Sequence, residues 1–230
     1  MKDDKKFKNS TLFLSDIFVY TVSLGPVIIA LYTCWSLRGF SESLGFLFFC
    51  LLPLVFCLSF ILSIFAIRLL LPKLKPGKYD VGLNINFIAW ALHLALSRSA
   101  DFLGLRYLIF QFNTLKYLYF RSLGGQISFD LTCSLQVEMT DFQLIAIKPG
   151  CIITTGAFLS GHIFFKDKLI LQTVTLEEDV YVGANTWISG SKIGKGAHLG
   201  IHNIIFRRDI PEGEVVENFK YQKGNDLDGN

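Results

Sequence analysis

His162 is the residue of this chain whose type and setting best suit acid–base chemistry. An unperturbed imidazole has a pKa of about 6.5, so it can take a proton from a hydroxyl or amine at neutral pH and return it to a leaving group. His162 ends the regular unit that begins at Leu159 and opens an irregular segment. A carboxylate would fix its tautomer, and Asp141 and Asp167 are the nearest candidates in sequence. The alternative is a histidine that only makes a hydrogen bond at a turn.

Three other side chains are candidates for binding a co-substrate. Arg207 and Arg208 follow the last full repeat and suit a phosphate or a pantetheine-linked donor. Adjacent arginines on a solvated edge are the alternative. Trp187 ends its repeat unit and points outward, as a cleft wall or a subunit contact would. Cys151 holds an inward position that favours small residues, so it is interpreted as core and not as a nucleophile.

A six-residue repeat fills the C-terminal half of the chain. An aliphatic residue recurs at its first position and a small or β-branched residue at its fifth. The clearest units begin at Ile147, Ile153, Leu176, Val182, Ile193 and Leu199. Such a repeat predicts a solenoid of short strands, with three strands in a triangular coil of about 18 residues. The segment from 162 to 173 breaks the repeat and is predicted to loop out of the coil.

Two uncharged apolar runs near the N-terminus predict a membrane-spanning helical hairpin. They cover Ile17 to Leu37 and Leu44 to Ile67. Each run is long enough to cross a bilayer, which takes about 20 residues of helix. Charged residues make up only 18% of the chain, below the roughly 25% of soluble domains. A signal peptide is the alternative for the first run, but no small-residue cleavage site follows it.

The lysines and arginines that flank the two runs predict the orientation of the hairpin. Clusters of them precede the first run and follow the second, whereas the short link holds only Arg38. The positive-inside rule then puts both termini in the cytoplasm and the chain in the inner, cytoplasmic membrane. The formal net charge of +3 is too small to indicate nucleic acid as a partner.

The stretch from 84 to 123 mixes aromatic residues with cations. This pattern favours helices that lie in the headgroup layer with basic side chains facing anionic lipid, so membrane lipids are predicted partners. His93 is interpreted as an ordinary interfacial side chain. The alternative is a set of helices packed on a core with solvated cations.

Several motifs resemble those of the hexapeptide-repeat family, whose members form a left-handed parallel β-helix. Val182-Gly-Ala-Asn-Thr-Trp-Ile and Ile193-Gly-Lys-Gly-Ala carry that resemblance. Further motifs between residues 75 and 213 are similar to a membrane subgroup that includes the C-terminal membrane region of epsilon-poly-lysine synthase and related modules of peptide synthetases. These are Lys75-Pro-Gly-Lys-Tyr, Asn113-Thr, Tyr119-Phe-Arg-Ser-Leu-Gly-Gly, Thr140-Asp-Phe and His162-Ile-Phe.

The resemblance implies a bacterial acyltransferase with His162 as general base. It implies a homotrimer with active sites between neighbouring β-helices, and a thioester donor carried by coenzyme A or a carrier protein. The acceptor would be a hydroxyl or amine, a lipid-linked one would explain a membrane anchor, and no metal is expected. Two departures matter. Gln143 replaces the family's acid, and the terminal Gly-x-Pro-Ala that helps to close over coenzyme A is absent, which leaves that donor in doubt.

The predicted fold class is a membrane helical hairpin plus a left-handed parallel β-helix, a hexapeptide-repeat solenoid. The predicted divisions are a tail and hairpin over 1–71, an interfacial connector over 72–126, the β-helix over 127–217 and a flexible tail over 218–230. One alternative function is a non-catalytic trimeric membrane scaffold. Another is a zinc hydratase of the carbonic anhydrase type, suggested by His162 and His198, which lie 36 residues apart. A five-residue repeat unit between the two histidines shifts their register and weighs against it.

Overall fold

The computed structural model describes residues 9–82 and 84–219, with side chains from Asp16 onward. Helices come first and short parallel strands follow. The helices are α1 (Asn9–Ser36), α2 (Ser41–Leu44), α3 (Phe46–Leu70), α4 (Ile85–Ser97), α5 (Leu105–Phe110) and α6 (Asn113–Ser122). Short 3-10 segments run over Leu37–Phe40, Arg98–Gly104 and Phe142–Leu144.

Helices α1 and α3 pack as an antiparallel hairpin. Ser63 Oγ lies 3.4 Å from the Pro26 carbonyl oxygen, and a Cβ at Gly25 would lie 3.6 Å from Ile67. Both helices contain an internal proline, Pro26 in α1 and Pro53 in α3. Each is long and apolar enough to cross a membrane by length and composition alone, a test that core helices and signal sequences also pass.

The C-terminal half contains three parallel sheets that wind around one apolar interior. In order across the first sheet, the strands are β13 (Lys192–Ile193), β10 (Val174–Leu176), β5 (Ile145–Ile147) and β2 (Gln126–Ile127). Across the second sheet they are β16 (Val215–Val216), β14 (His198–Leu199), β11 (Tyr181–Val182), β6 (Ile152–Ile153) and β3 (Thr132–Cys133). Across the third sheet they are β15 (Ile204–Phe206), β12 (Trp187–Ser189), β7 (Phe158–Ser160) and β4 (Glu138–Thr140). This parallel architecture is confirmed and is consistent with the predicted left-handed β-helix.

The coils of this β-helix differ in length around the predicted period of about 18 residues, because residues are inserted at one edge. Thr140, Ser160, Ser189 and Phe206 form one column across the third sheet. Successive members of a column lie 20, 29 and 17 residues apart in sequence. The extra residues of the first two coils all enter at one edge, between the third sheet and the first. We call this the insertion edge; it comprises residues 141–144, 161–173, 190–191 and 207–209.

The longest insertion forms a β-hairpin, so this segment leaves the coil as predicted. Its strands are β8 (His162–Phe165) and β9 (Lys168–Leu171). Strand β1 (Gly77–Asp80), which follows the apolar hairpin, pairs antiparallel with β9 and completes a three-stranded sheet. The sequence pattern does not predict β1, because its partner strand lies far along the chain and so short a strand carries too little periodicity to be marked.

Helices α5 and α6 cover the first coil of the β-helix, which corrects part of the predicted lipid-facing connector. The Lys116 ammonium is buried and donates to the Leu131 carbonyl at 2.9 Å, and Arg106 donates to the Val137 carbonyl. Phe120 stacks on Phe142 with ring centroids 5.5 Å apart. These two cations satisfy carbonyl groups of the first coil instead of facing lipid.

Candidate active site

A histidine–aspartate pair lies on the insertion edge. His162 Nδ1 is 2.6 Å from Asp141 Oδ2, and the Asp141 side chain is fully buried while the imidazole remains 17% exposed. A carboxylate only accepts hydrogen bonds, so this contact assigns the proton to Nδ1 and leaves the Nε2 lone pair free. No described residue forms a hydrogen bond with Nε2. The pair therefore has the tautomer that a general base requires.

Two consecutive coils bring these side chains together. Asp141 follows β4 in a left-handed conformation with φ 60° and begins the short turn at Phe142–Leu144. His162 begins β8 one coil further along. The Thr140 hydroxyl lies 3.1 Å from Asp141 Oδ2 and 3.2 Å from Ser160 Oγ. Ser160 Oγ in turn accepts from the His162 backbone N–H at 3.2 Å. The stacked hydroxyls of Thr140 and Ser160, which we call the hydroxyl column, thus hold both members of the pair in position.

Helix α4 covers the imidazole with an aromatic wall. Asn84 caps the helix by accepting from two backbone N–H groups at 3.0 Å, which fixes its start. Trp90, further along this helix, meets the His162 ring edge-on with centroids 4.9 Å apart. Phe164 contacts both rings, at 5.2 Å from Trp90 and 5.9 Å from His162. One side of the imidazole is therefore dry, while its exposed fraction stays open to a substrate.

His93, one turn after Trp90, corrects the interpretation of that histidine as an interfacial side chain. It is buried, and its Nε2 lies 2.9 Å from the Pro72 carbonyl oxygen. The amide nitrogen of Gln143 lies 3.0 Å from Nε2 of His93, and the amide oxygen of Gln143 accepts from the Leu74 N–H. Burial lowers the pKa of His93, so the ring is neutral at neutral pH. His93 and Gln143 thus tie α4 to the turn that follows Asp141.

Two buried polar atoms have no hydrogen-bond partner within the part of the chain that the structure describes. They are Asp141 Oδ1 and Trp90 Nε1. Folded proteins satisfy most such atoms, so an unpaired buried group calls for a specific explanation. Both belong to residues in contact with His162. The site around His162 therefore keeps one unused hydrogen-bond acceptor and one unused donor.

The second candidate acid lies away from the imidazole. Asp167 occupies the tip of the β8–β9 hairpin, where its backbone oxygen accepts from the Val81 N–H at 3.0 Å. In the strand register His162 lies opposite Leu171, at the other end of the hairpin. Of the two acids, the structure brings only Asp141 to His162.

The two adjacent arginines have different surroundings. Arg207 lies on the insertion edge, and its Nε donates to Gln172 Oε1 at 2.8 Å. The Gln172 backbone N–H donates to the Gly161 oxygen at 2.8 Å, which connects Arg207 to the segment of His162. Arg208 pairs with Glu214 at 2.9 Å and is neutralised by it. Both arginines lie on the insertion edge, but only Arg207 is connected to the segment of the candidate base.

Trp187 and the remaining histidines lie on other surfaces of the β-helix. Trp187 is 55% exposed on the third sheet and contacts Phe158 edge-on at 5.7 Å. His198 lies on β14, within a strand, and stacks flat on Tyr181 with ring centroids 4.3 Å apart. His202 does occupy a corner, with φ 58°. The described residues contain no group of three His, Cys, Asp or Glu placed to share a metal within one chain.

Comparison with known proteins finds similar solved structures. No protein family model matches the chain, and no curated protein matches it. A hexapeptide-repeat acetyltransferase of Vibrio cholerae aligns over 50% of this chain and 81% of its own, with 17% identity and a TM-score of 0.40. Such an enzyme from Vibrio cholerae O1 biovar eltor, complexed with acetyl coenzyme A, aligns over 51% and 86%, with 14% identity and a TM-score of 0.35.

Serine acetyltransferases are also similar in structure. The enzyme of Neisseria gonorrhoeae, in complex with serine, aligns over 56% of this chain and 53% of its own, with 16% identity and a TM-score of 0.28. The chain thus spans about half the length of that enzyme. TM-scores this low carry no argument about activity.

Sequence patterns alone do not identify the groups that surround the pair. In the sequence, Trp90 is one of several aromatic residues predicted to lie at the membrane interface. No local sequence pattern shows that α4 packs against the β8–β9 hairpin. The hydroxyls of Thr140 and Ser160 do leave a signal, since each ends a strand at the same edge of consecutive coils. Stacking the coils into a column identifies them.

Proposed function

We propose that this protein is a membrane-anchored acyltransferase in which His162 acts as general base and Asp141 orients it. The observation that carries the proposal is the 2.6 Å contact between His162 Nδ1 and the fully buried Asp141 carboxylate. This contact leaves Nε2 as the free basic atom at the exposed side of the ring.

The arrangement suits transfer of an acyl group from a thioester. Nε2 of His162 would take the proton of an acceptor hydroxyl or amine as that group attacks the thioester carbonyl. A C–O or C–N bond forms, the C–S bond breaks, and the imidazolium returns its proton to the leaving thiolate. The Asp141 carboxylate would stabilise the imidazolium that exists between these two transfers. A positioned base of this kind contributes about 10²- to 10⁴-fold to a rate.

The insertion edge also offers a place for the donor. Adjacent coils are about 4.8 Å apart, so Arg207 lies about 10 Å along the edge from the corner of His162. Its guanidinium would bind a phosphate of coenzyme A or of a carrier-protein pantetheine. Arg208 is less suited, because Glu214 already neutralises it. Trp187 is a residue of the neighbouring sheet face and would border the donor from there.

Membrane anchoring and a trimer complete the proposal. The outward surfaces of α1 and α3 carry exposed apolar side chains, including Tyr32 at 66% and Leu62 at 67% exposure. Lipid would cover these side chains. On the β-helix, Phe158, Trp187 and Ile204 form an apolar column that a second copy would cover. The motif resemblance to the membrane subgroup of hexapeptide-repeat proteins supports both the anchor and the trimer. The positive-inside rule would place the β-helix of the anchored protein in the cytoplasm.

Mass spectrometry of lipid and soluble extracts tests the acyltransferase. Cells would express the wild type, His162→Ala or His198→Ala at equal levels. We expect a product heavier by one acyl group with the wild type and with His198→Ala, and its loss with His162→Ala. His198→Ala is the matched control because it removes an exposed imidazole from a different sheet.

Identical spectra from all three well-expressed proteins would overturn the proposal and favour the trimeric scaffold. Stoichiometric zinc that is present in the wild type and lost with His198→Ala would instead favour the hydratase. Adding acetyl coenzyme A or an acyl carrier protein to the purified wild type would identify the donor.

A further inference from the structure

A cavity lies between the apolar hairpin and α6, away from the aromatic wall of His162. Its volume is about 660 Å³, within the roughly 300–1,000 Å³ typical of ligand sites. It is lined by Leu58, Ile61, Leu62, Phe65 and Arg68 of α3, by Arg121 of α6, and by the residues that follow α6. No acidic residue is among these lining residues.

The polar end of the cavity holds two like charges. Arg68 and Arg121 come from different helices and repel one another. Neither forms an ion pair within the part of the chain that the structure describes. Uncompensated paired guanidinium groups at a cavity are the arrangement that binds phosphate or carboxylate.

Backbone contacts hold both guanidinium groups in place and leave further N–H donors available. Arg68 Nε donates to the Ser122 carbonyl at 2.6 Å, and Arg121 Nη1 donates to the Gly125 carbonyl at 3.2 Å. Each guanidinium has five N–H donors, so each keeps several for a ligand. The backbone passes close to this end at Gly124, where a Cβ would lie 3.4 Å from Arg68 Nη1. The two charges are therefore preorganised.

The rest of the cavity is an apolar stripe along α3. Leu58, Ile61, Leu62 and Phe65 recur at helical spacing and lead directly to Arg68. About ten residues of helix at roughly 1.5 Å each span about 15 Å, which is half of a hydrocarbon core of roughly 30 Å. The cavity thus has the length of one lipid leaflet, with its charges at the end where α3 meets the β-helix.

We propose that this cavity binds an anionic lipid, with its phosphate on Arg68 and Arg121 and an acyl chain along α3. The charge complementarity and the continuous apolar stripe favour an amphiphile. A free anion would occupy only the polar end of the cavity, beside the two arginines. The inference rests on the membrane position in the proposed function but not on acyl transfer. It concerns binding, and its test needs no acyl donor.

Native mass spectrometry of the full-length protein tests this site. The protein would be released from nanodiscs that contain equal amounts of dioleoyl phosphatidylglycerol and dioleoyl phosphatidylcholine. We expect retained phosphatidylglycerol on the wild type. Arg121→Gln removes a charge-assisted contact to the phosphate and should lower the affinity for this lipid at least about tenfold, equivalent to about 1.4 kcal/mol. Leu62→Trp, an exposed position on α3, should fill the apolar part and lower occupancy without changing charge.

Lys73→Gln is the matched control, because Lys73 is exposed just beyond α3 and is not part of the cavity. It should leave occupancy unchanged. An equal loss with Lys73→Gln would indicate diffuse attraction to the bilayer and overturn the proposal. So would equal retention of phosphatidylcholine, or displacement of the lipid by excess inorganic phosphate.

His162→Ala separates this inference from the acyltransferase. It should bind phosphatidylglycerol as the wild type does, because His162 does not line the cavity. A wild-type protein that binds the lipid but transfers no acyl group would sustain the site and end the proposed function. Acyl transfer by a protein whose lipid occupancy does not depend on Arg121 would overturn the lipid site and sustain the proposed function.

Discussion

The regular corners of the β-helix and its insertion edge perform different tasks. At the regular corners from the second coil onward, one residue per turn adopts a left-handed conformation, and the coil continues without extra residues. These residues are Gly150, Asp179, Gly196 and Gly213 at one corner and Gly156, Asn185 and His202 at the other. The insertion edge also contains left-handed residues, but its first two coils are longer there, and those coils bring Asp141 to His162.

The difference shows how a repetitive fold can build a specific site. A regular corner can vary in residue type because each turn only has to close the coil and stack on its neighbours. At the insertion edge the extra residues leave the stack, so their side chains are positioned by β1, α4 and the hydroxyl column instead of by the repeat. Changes at the two kinds of corner should therefore separate activity from stability.

The largest expected effect is at Asp141, the left-handed residue of the insertion edge with φ 60°. Asp141→Asn preserves shape and tolerates this conformation, but its amide can donate to Nδ1 and move the imidazole proton to Nε2. We expect acyl transfer to fall about 10²- to 10⁴-fold, with little change in thermal unfolding. Rates with purified protein and matched unfolding curves measure both. Wild-type rates in Asp141→Asn would show that the carboxylate does not orient a base.

A regular corner should show the opposite pattern. Gly156 has φ 72°, and a Cβ there would collide with Asn185 Oδ1. Gly156→Ala should lower the free energy of unfolding by about 1–3 kcal/mol through backbone strain and crowding. Activity per folded molecule should remain that of the wild type.

Gly39→Ala is the control for the glycine change, because nothing lies within 4 Å of a Cβ at Gly39. Unfolding in detergent, followed by circular dichroism, compares the two variants. Loss of activity in folded Gly156→Ala would mean that the regular corner contributes to the site after all.

Cys151 tests whether the inward side of a regular corner carries chemistry. Its thiol is fully buried and donates to the Glu177 carbonyl at 3.0 Å, and burial raises its pKa to about 11. The thiol is therefore protonated at neutral pH and should resist alkylation in the folded protein. Cys151→Ala should cost about 1 kcal/mol of stability through a small cavity and leave acyl transfer intact. Peptide mass mapping after iodoacetamide treatment, before and after unfolding, measures the reactivity.

The repetitive part of the fold is predictable from sequence, because each unit repeats the same physical requirement. An aliphatic residue at the first position and a small residue such as Cys151 or Ala157 at the fifth fill the interior of a coil, and both small residues are fully buried. The parallel coil therefore follows from local pattern. Its exact period does not, since insertions such as 141–144 read as ordinary sequence until the coils are stacked.

The candidate site is only partly predictable for the same reason. His162 stands out because it opens the irregular segment, and Asp141 is one of two candidate acids. The choice between Asp141 and Asp167 needs the stacking of coils, which puts the second at a hairpin tip. Trp90 comes from a helix far upstream in the chain, and no local pattern reports its contact with His162.

His202 gives the smallest expected effect and the sharpest contrast, since it puts the residue type of the candidate base at a regular corner. Its φ of 58° fills the role that Gly156 and Asn185 fill in the preceding coils. His202→Gly should change the free energy of unfolding by no more than about 1 kcal/mol, because relief of left-handed strain offsets the greater backbone entropy of glycine. His202→Val, which is β-branched, should instead be destabilised by about 1–3 kcal/mol. Acyl transfer and metal content, measured on the folded variants, should match the wild type in both. Loss of activity or of bound zinc in folded His202→Gly would show that a regular corner carries chemistry, and the division between the two kinds of corner would fail.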